Sequence, residues 1–255
     1  MSQSDFSLLV RGVPAHALHH GALGWCSIGL IRVGDRVCLI DTGGFGYRGL
    51  LLDALNSEGL SPDEVTDVLI THSHWDHLTN IDLFPNAAVR MSEGELEWSL
   101  SLRENHLLVP VAVVKSAMTQ GRISAFAPGQ EVCPGVVALP TPGHTPGHTS
   151  FLIKTKTGLA LFAGDAVKNE VELVTRRARM TMDGAESARS IEQIVEIAQN
   201  ESALIYCGHD RTFRWERGSF VPGERHPAAV GVVELGRDCS EQADRQVDIF
   251  GVRVE

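Results

Sequence analysis

Four apolar runs in this chain each end in a loop that carries histidine or aspartate. DVLIT (67–71) leads into His72-Ser73-His74-Trp75-Asp76-His77, and VVALP (136–140) into Thr141-Pro142-Gly143-His144-Thr145-Pro146-Gly147-His148. LALF (159–162) leads into Ala163-Gly164-Asp165, and ALIY (203–206) into Cys207-Gly208-His209-Asp210. Short apolar runs bounded in this way read as buried strands. Loops just beyond the strand ends of a rigid scaffold are where sites usually lie. Three imidazoles and one carboxylate within residues 72–77 are hard to explain as packing. His72 and His74, at i and i+2, point the same way on an extended segment. A turn into a helix then brings Asp76 and His77 round from another side. Imidazole suits zinc, iron and other borderline metals, and the prolines and glycines of 141–147 make the rigid loop that holding a ligand requires. Taken alone, the first cluster also fits a solvated, histidine-rich loop.

Between these runs, strands and helices are interleaved. Residues 25–33 and 36–40 read as two strands around a Gly34-Asp35 turn, a hairpin signal. Residues 49–57 read as a helix with Leu50, Leu51, Ala54 and Leu55 on one face. Residues 87–91 read as a strand, after which Ser92 caps a helix that starts at Glu93, with Glu95 completing a capping box. Residues 149–155 are a further strand, and 185–200 an amphipathic helix with an Ile191, Ile194, Val195, Ile197, Ala198 stripe. The apolar, proline-interrupted segment 107–114 reads as core or as an interface, and a homodimer contact is one use for it. From Arg214 onward the sequence gives few signals. No repeat or low-complexity linker divides the chain, so the expectation is a single domain over 1–255 with a helical insertion around 92–120. Interleaved hairpins and crossovers predict a layered α/β protein with mixed sheets.

Composition narrows the function classes. The net charge of −10 is a poor match for a phosphate backbone, so nucleic acid is not an expected partner. The arginines at 176, 177 and 179 read as a solvated charged loop. No apolar run approaches the ~18 residues of a membrane span, and the N-terminus lacks the pattern of a secretory signal. The five cysteines (Cys26, Cys38, Cys133, Cys207 and Cys239) are widely spaced with no CxxC pair, as for reduced thiols in a cytoplasmic protein.

His-x-His-x-Asp-His, then TPGHTPGH, then Gly-Asp, then Gly-His, in that order, resembles the metallo-β-lactamase superfamily, and the likeness runs from about residue 25 to residue 210. Asp41-Thr42-Gly43 is similar to the early Asp-x-Gly turn of that family. The resemblance implies a four-layer αβ/βα sandwich with two mixed β-sheets and two metal ions, zinc first, with iron or manganese as alternatives. It implies that His72, His74 and His144 hold the first metal, that Asp76, His77 and His209 hold the second, and that Asp165 bridges. By the same likeness Asp41 supports the site from behind, and His148 is structural. His16, His19, His20, His106 and His226 match no motif.

The activity expected from this likeness is hydrolysis of a small-molecule substrate, most simply a small ester or lactone, by a hydroxide shared between the metals. Asp76 is the expected proton acceptor. TPGHTPGH with a following Gly-Asp resembles the branch of acyl-homoserine lactonases. Some of those carry a tyrosine three residues after the bridging aspartate. Lys168 stands at that position here, where it could supply a charged hydrogen bond, and Tyr47 and Trp75 are candidates to line the pocket. A glyoxalase-II-like thioesterase is the nearest competitor, although its basic, helical C-terminal region has no counterpart in the irregular 211–225 stretch. A persulfide dioxygenase with one iron on two histidines and an aspartate is the alternative of a different class.

Overall fold

The computed structural model describes residues 4–13, 16–17, 21–22, 25–224, 229–235 and 242–248, with side chains described over 4–13 and 25–224. Two compact units divide the chain, Met1–Gly223 and Glu224–Glu255. The first begins with β1 (Asp5–Val10), β2 (His16–Ala17), β3 (Gly21–Ala22), β4 (Ile28–Val33), β5 (Arg36–Ile40) and α1 (Arg48–Ser57). It continues with β6 (Asp67–Leu69), α2 (Trp75–Leu78), β7 (Ala88–Ser92), α3 (Glu93–Ser101), α4 (Val111–Thr119) and β8 (Ile123–Phe126). Then come β9 (Glu131–Cys133), β10 (Val136–Pro140), β11 (Thr149–Thr155), β12 (Gly158–Gly164), α5 (Glu170–Thr175), α6 (Gly184–Glu201), β13 (Leu204–Cys207), β14 (Thr212–Glu216) and β15 (Ser219–Pro222). The second unit contributes an antiparallel pair, β16 (Ala229–Leu235) and β17 (Gln242–Asp248).

Two mixed sheets make the frame of the first unit. One runs β1-β4-β5-β6-β7-β8, antiparallel as far as β5 and parallel from there to β8. The other runs β15-β14-β13-β12-β11-β10-β9 and is antiparallel apart from the β12–β13 pair. Side chains alternate along a strand, so each strand feeds two apolar layers. In β5, Leu39 packs toward Leu51 and Leu55 of α1, while Cys38 and Ile40 look between the sheets at Phe151, Ile153 and Phe162. In β12, Ala160 and Phe162 enter the same inter-sheet layer, whereas Leu161 and Ala163 lie against Ile191, Ile194 and Val195 of α6. Three apolar layers thus separate α1, α3 and α4, the two sheets, and α5 with α6: the four-layer sandwich expected above.

Local sequence explains most boundaries. Gly34 takes φ +57° in the β4–β5 hairpin, a conformation open to glycine. Asp183 caps α6 by accepting from the Glu186 N–H, and Ile191, Ile194, Val195 and Ala198 recur at helical spacing on its buried face. The four described cysteines are free, buried thiols, and Cys239 lies outside the described residues.

Two expectations change, and the 107–114 segment takes one of its two readings. Leu50 turns outward at 44% exposure, so Leu51 and Leu55 carry the buried face of α1. The 92–120 region holds two short helices, α3 and α4, joined by 102–110. Within it Val109, Val111 and Val114 are buried in this chain's own interior while Leu107 is 93% exposed, so the valines are core and no dimer contact is needed to cover them. The stretch after residue 210, which had looked irregular, supplies the β14–β15 hairpin at the sheet edge. Its turn residues Arg217 and Gly218 both have positive φ, as a two-residue type I′ turn demands, but Arg-Gly lacks the Asn-Gly signature that would announce one. Among the described residues, no helix is long and apolar enough to cross a membrane.

Placing a charge at Val111, which has no exposed surface, is therefore expected to lower unfolding free energy by about 3 kcal/mol or more. Val111→Asp should show this in chemical denaturation, with no dimer-to-monomer change in sedimentation. A variant of wild-type stability with altered sedimentation would return Val111 to an interface.

Candidate metal centre

The candidate residues collect where the strands deliver them. Asp41 follows β5, His72 to His77 follow β6, His144 lies in the β10–β11 connection, Asp165 follows β12 and His209 follows β13. Parallel neighbours β5–β6 and β12–β13 open their carboxyl ends on the same edge, the usual place for sites in such sheets. The two sheets are joined there by the chain after β3. Ser27 N–H donates to the Gly208 carbonyl at 2.6 Å, and Ser27 Oγ donates to the Cys207 carbonyl at 2.7 Å.

Three overlapping groups result: His72, His74 and His144; His72, His77 and Asp165; and Asp76, His77 and His209. Within each group the potential ligand atoms lie within 4.8 Å of one another. Asp165 faces both sides. Its Oδ1 lies 3.3 Å from His77 Nε2 and 3.2 Å from His209 Nε2, and its Oδ2 lies 3.4 Å from His144 Nε2. Asp76 Oδ2 is 3.5 Å from His209 Nε2 and 3.7 Å from His77 Nε2. Gly208 is tight against this carboxylate, since a Cβ there would stand 2.3 Å from Asp165 Oδ1.

Hydrogen bonds behind the rings decide which nitrogen looks inward. His77 Nδ1–H donates to Asp41 Oδ2 at 2.8 Å, and His209 Nδ1–H donates to the Trp25 carbonyl at 3.1 Å. Thr71 spends its one hydroxyl proton on Asp41 Oδ2 at 2.8 Å, so at 3.0 Å its oxygen accepts from His72 Nδ1–H. All three rings thus present Nε2 to the centre, as histidine ligands backed by a carboxylate or carbonyl do. His72 Nε2, His77 Nε2, His144 Nδ1 and Asp165 Oδ1 are buried with no well-aligned hydrogen-bond partner. An unpaired buried polar group costs about 1–3 kcal/mol; His144 turns its other nitrogen, Nε2, to Asp165, and the unpaired atoms of His72, His77 and Asp165 fit divalent cations of the kind imidazole and carboxylate hold.

Charge is arranged to match. Burial opposes a charge on His77, but Cys26, Asp76, Asp165 and Asp41 outweigh it and hold the ring well above its ordinary 6.5. Burial opposes charge on His209 as well, and Asp165 overcomes it and raises that ring. Burial would raise Asp165, but His209 and His77 keep it well below the usual carboxylate range. Burial pushes His72 and His144 well down and His74 to about 4, so these three are neutral. The carboxylates thus favour a proton on His77 and His209.

The supporting candidates divide. Asp41 is wholly buried, at φ +60°, and accepts from Thr71 N, Thr71 Oγ1 and His77. His148 Nε2 accepts from Asp165 N–H at 3.0 Å and its Nδ1 meets Thr141 Oγ1 at 2.9 Å, so the ring sits behind Asp165 with burial pushing it down to about 3. Lys168 is not a free surface amine: it donates to the Asp165 carbonyl at 3.3 Å and pairs with Glu172 at 3.3 Å. Tyr47 lies against Trp25 with ring centroids 5.2 Å apart and planes tilted by 46°, and burial and then Asp76 raise its phenol. Trp75 seats its ring on Gly44, where a Cβ would come within 2.7 Å. His106 caps the 108–109 turn, and His16, His19, His20 and His226 have side chains outside the described residues.

Sequence reasoning passed over Thr71, the Trp25 carbonyl and Glu95. Glu95 had been read as half of a capping box. Ser92 Oγ does accept from Glu95 N–H, but the carboxylate turns inward to residues 73, 145 and 147 and not back to Ser92.

The family model of the metallo-beta-lactamase superfamily matches residues 22–209. An N-acyl homoserine lactonase of Bacillus cereus is 29% identical over 162 residues, 63% of this chain and 62% of that protein. Mouse metallo-beta-lactamase domain-containing protein 1 is 32% identical over 188 residues, 73% of this chain and 64% of that protein. The chain therefore spans under two thirds of the length of these relatives. Among solved structures, the dizinc quorum-quenching lactonase AidC in complex with a product, N-hexanoyl-L-homoserine, superposes with TM-score 0.65 at 18% identity, covering 79% of this chain and 80% of that one.

Because the pKa of His77 is held well above 6.5 and that of His209 is raised, a metal must compete with protons at both rings. Metal titration at pH 7 should release protons, so its calorimetric enthalpy should depend on the ionisation enthalpy of the buffer. Affinity should climb as pH rises through the raised pKa values. A buffer-independent enthalpy would show that the two rings carry no displaceable proton.

Proposed function

The chain belongs to the metallo-beta-lactamase superfamily, and on that premise we propose that it is a dinuclear zinc hydrolase acting on a small lactone or ester. The observation that carries this reading is Asp165, whose Oδ1 faces His77 and His209 and whose Oδ2 faces His144, beside buried Nε2 atoms of His72 and His77 that lack a well-aligned partner. His72, His74 and His144 would hold one metal, Asp76, His77 and His209 the other, and Asp165 both. When bound, such a pair polarises a carbonyl oxygen and lowers the pKa of water to give a nucleophile at neutral pH.

The chain's own groups then orient and move protons. Asp41 and the Trp25 carbonyl keep His77 and His209 turned inward, so no ring has to reorient during the reaction. His148 fixes the backbone at Asp165. Asp76 is the most open carboxylate of the cluster, with its side chain 16% exposed, and is placed to take the proton of the attacking water and return it to the leaving oxygen. In lactone opening the water oxygen bonds to the carbonyl carbon, the ring C–O bond breaks, and the released alkoxide takes that proton to give a hydroxy acid. Tyr47 and Trp75 are the candidates to border the substrate's approach. Lys168 cannot act as a freely swinging donor while Glu172 holds it, so a lactone carbonyl would depend on the metals for its polarisation. The lactonase names of the B. cereus relative and of AidC support the choice of substrate class.

The protein purified without added metal should contain about two equivalents of zinc. It should also open N-hexanoyl-homoserine lactone faster than it cleaves a glutathione thioester. Asp165→Asn should cost at least about 100-fold in turnover together with metal content. A preference for the thioester would move the assignment to a glyoxalase-II-like enzyme. One equivalent of iron with oxygen uptake on a persulfide would overturn the hydrolase reading.

A further inference from the structure

Glu95 has no exposed surface, and its carboxylate is shared between the loop that carries His72 and His74 and the loop that carries His144. Oε1 accepts from Ser73 N–H and Ser73 Oγ–H, both at 2.7 Å. Oε2 accepts from Thr145 Oγ–H at 2.6 Å and from Gly147 N–H at 3.2 Å. Ser73 lies between His72 and His74, and Thr145 directly follows His144. One carboxylate thus ties the 72–77 loop to the 141–148 loop beside their candidate ligands. We propose that Glu95 is a positioning residue, a clamp that sets the separation at which His72, His74 and His144 can close on one metal. The proposal rests on the reading of the site as a metal centre.

The surroundings make the clamp rigid. Ser92 Oγ donates to the Gly147 carbonyl at 2.6 Å, so Gly147 is gripped at both its N–H and its C=O by the first turn of α3. A Cβ on Gly147 would stand 2.0 Å from Glu95 N, and only glycine lets the loop come this close. A helix-capping glutamate would reach back to the N-cap N–H; here the side chain reaches away from its own helix to two other segments. All four partners are donors, and two of them are backbone N–H groups that cannot reverse. Only an ionised carboxylate, which accepts and does not donate, satisfies both loops at once. A glutamine of the same shape can serve one loop, but its NH2 then confronts an N–H of the other.

The test uses Glu95→Gln, with Ser73→Ala and Thr145→Val as variants that each remove one donor and leave the carboxylate in place. Three quantities are measured: zinc affinity by competition with a chromogenic chelator, the visible spectrum of the cobalt(II)-substituted protein, and the thermal midpoint of the metal-free protein. The clamp predicts that Glu95→Gln weakens zinc binding by about 10–100-fold and alters the cobalt spectrum, with smaller changes in the same direction for the other two. Folded Glu95→Gln with wild-type zinc affinity and an unchanged cobalt spectrum, whatever its thermal midpoint, overturns the proposal and leaves Glu95 a packing residue. If Glu95→Gln does not fold, Ser73→Ala and Thr145→Val decide by the same two readouts. Wild-type protein that takes up no zinc or cobalt overturns the reading of the site and the clamp with it, an outcome distinct from loss in the variant alone.

Discussion

Asp165 sits among imidazoles that would repel one another if all were charged, and its carboxylate is what lets them share a buried space. Burial alone would neutralise every ring in the cluster. The carboxylates reverse that for His77 and His209, while His72, His74 and His144 stay neutral. The centre therefore has a more positive half and a neutral half before any metal arrives, and Asp165 faces both. Supporting groups repeat the pattern one bond further out. Asp41 orients His77 and, through Thr71, His72; His148 holds the Asp165 N–H; the Trp25 carbonyl orients His209.

The sandwich holds this edge rigid. Asp41 occupies the left-handed region at φ +60°, which aspartate tolerates better than most residues. It is held there by two bonds from Thr71 and one from His77. Gly164, at φ +51°, turns the chain from β12 into Asp165 with Thr71 and His148 packed against it. Strands β5, β6, β12 and β13 come from different sheets, so the inter-sheet layer of Phe151, Phe162, Ile40 and Leu69 is what holds their ends in register. A cavity opened there would loosen candidate ligands that it does not touch.

Local patterns were legible wherever one element could be read by itself. The β4–β5 hairpin, the α6 stripe, the strands that end at the histidine loops and the order of the four loops all follow from period and punctuation in the chain. Legibility failed where a residue answered to distant partners. Glu95 satisfies a local capping pattern yet spends its carboxylate on residues 73, 145 and 147. Lys168 was a candidate hydrogen-bond donor to the substrate and is held by Glu172. Val111 and Val114 read equally as core or interface, and only the packing shows that they are core. The Arg217-Gly218 turn follows backbone geometry that its residue types do not advertise.

By itself the sequence determined the chemistry on offer: seven imidazole and carboxylate groups, placed just after apolar strands and in an order that a superfamily shares. It also determined the α/β layering, because strand and helix periods are properties of neighbouring residues. Only the tertiary structure decided which nitrogen of each ring faces inward, which rings carry protons, and what holds the two histidine loops together. Those outcomes depend on a carbonyl at residue 25, a threonine at 71 and a carboxylate at 95. Their contacts with the site form only when the strand ends meet, and electrostatics and hydrogen bonding act across space with no regard for distance along the chain.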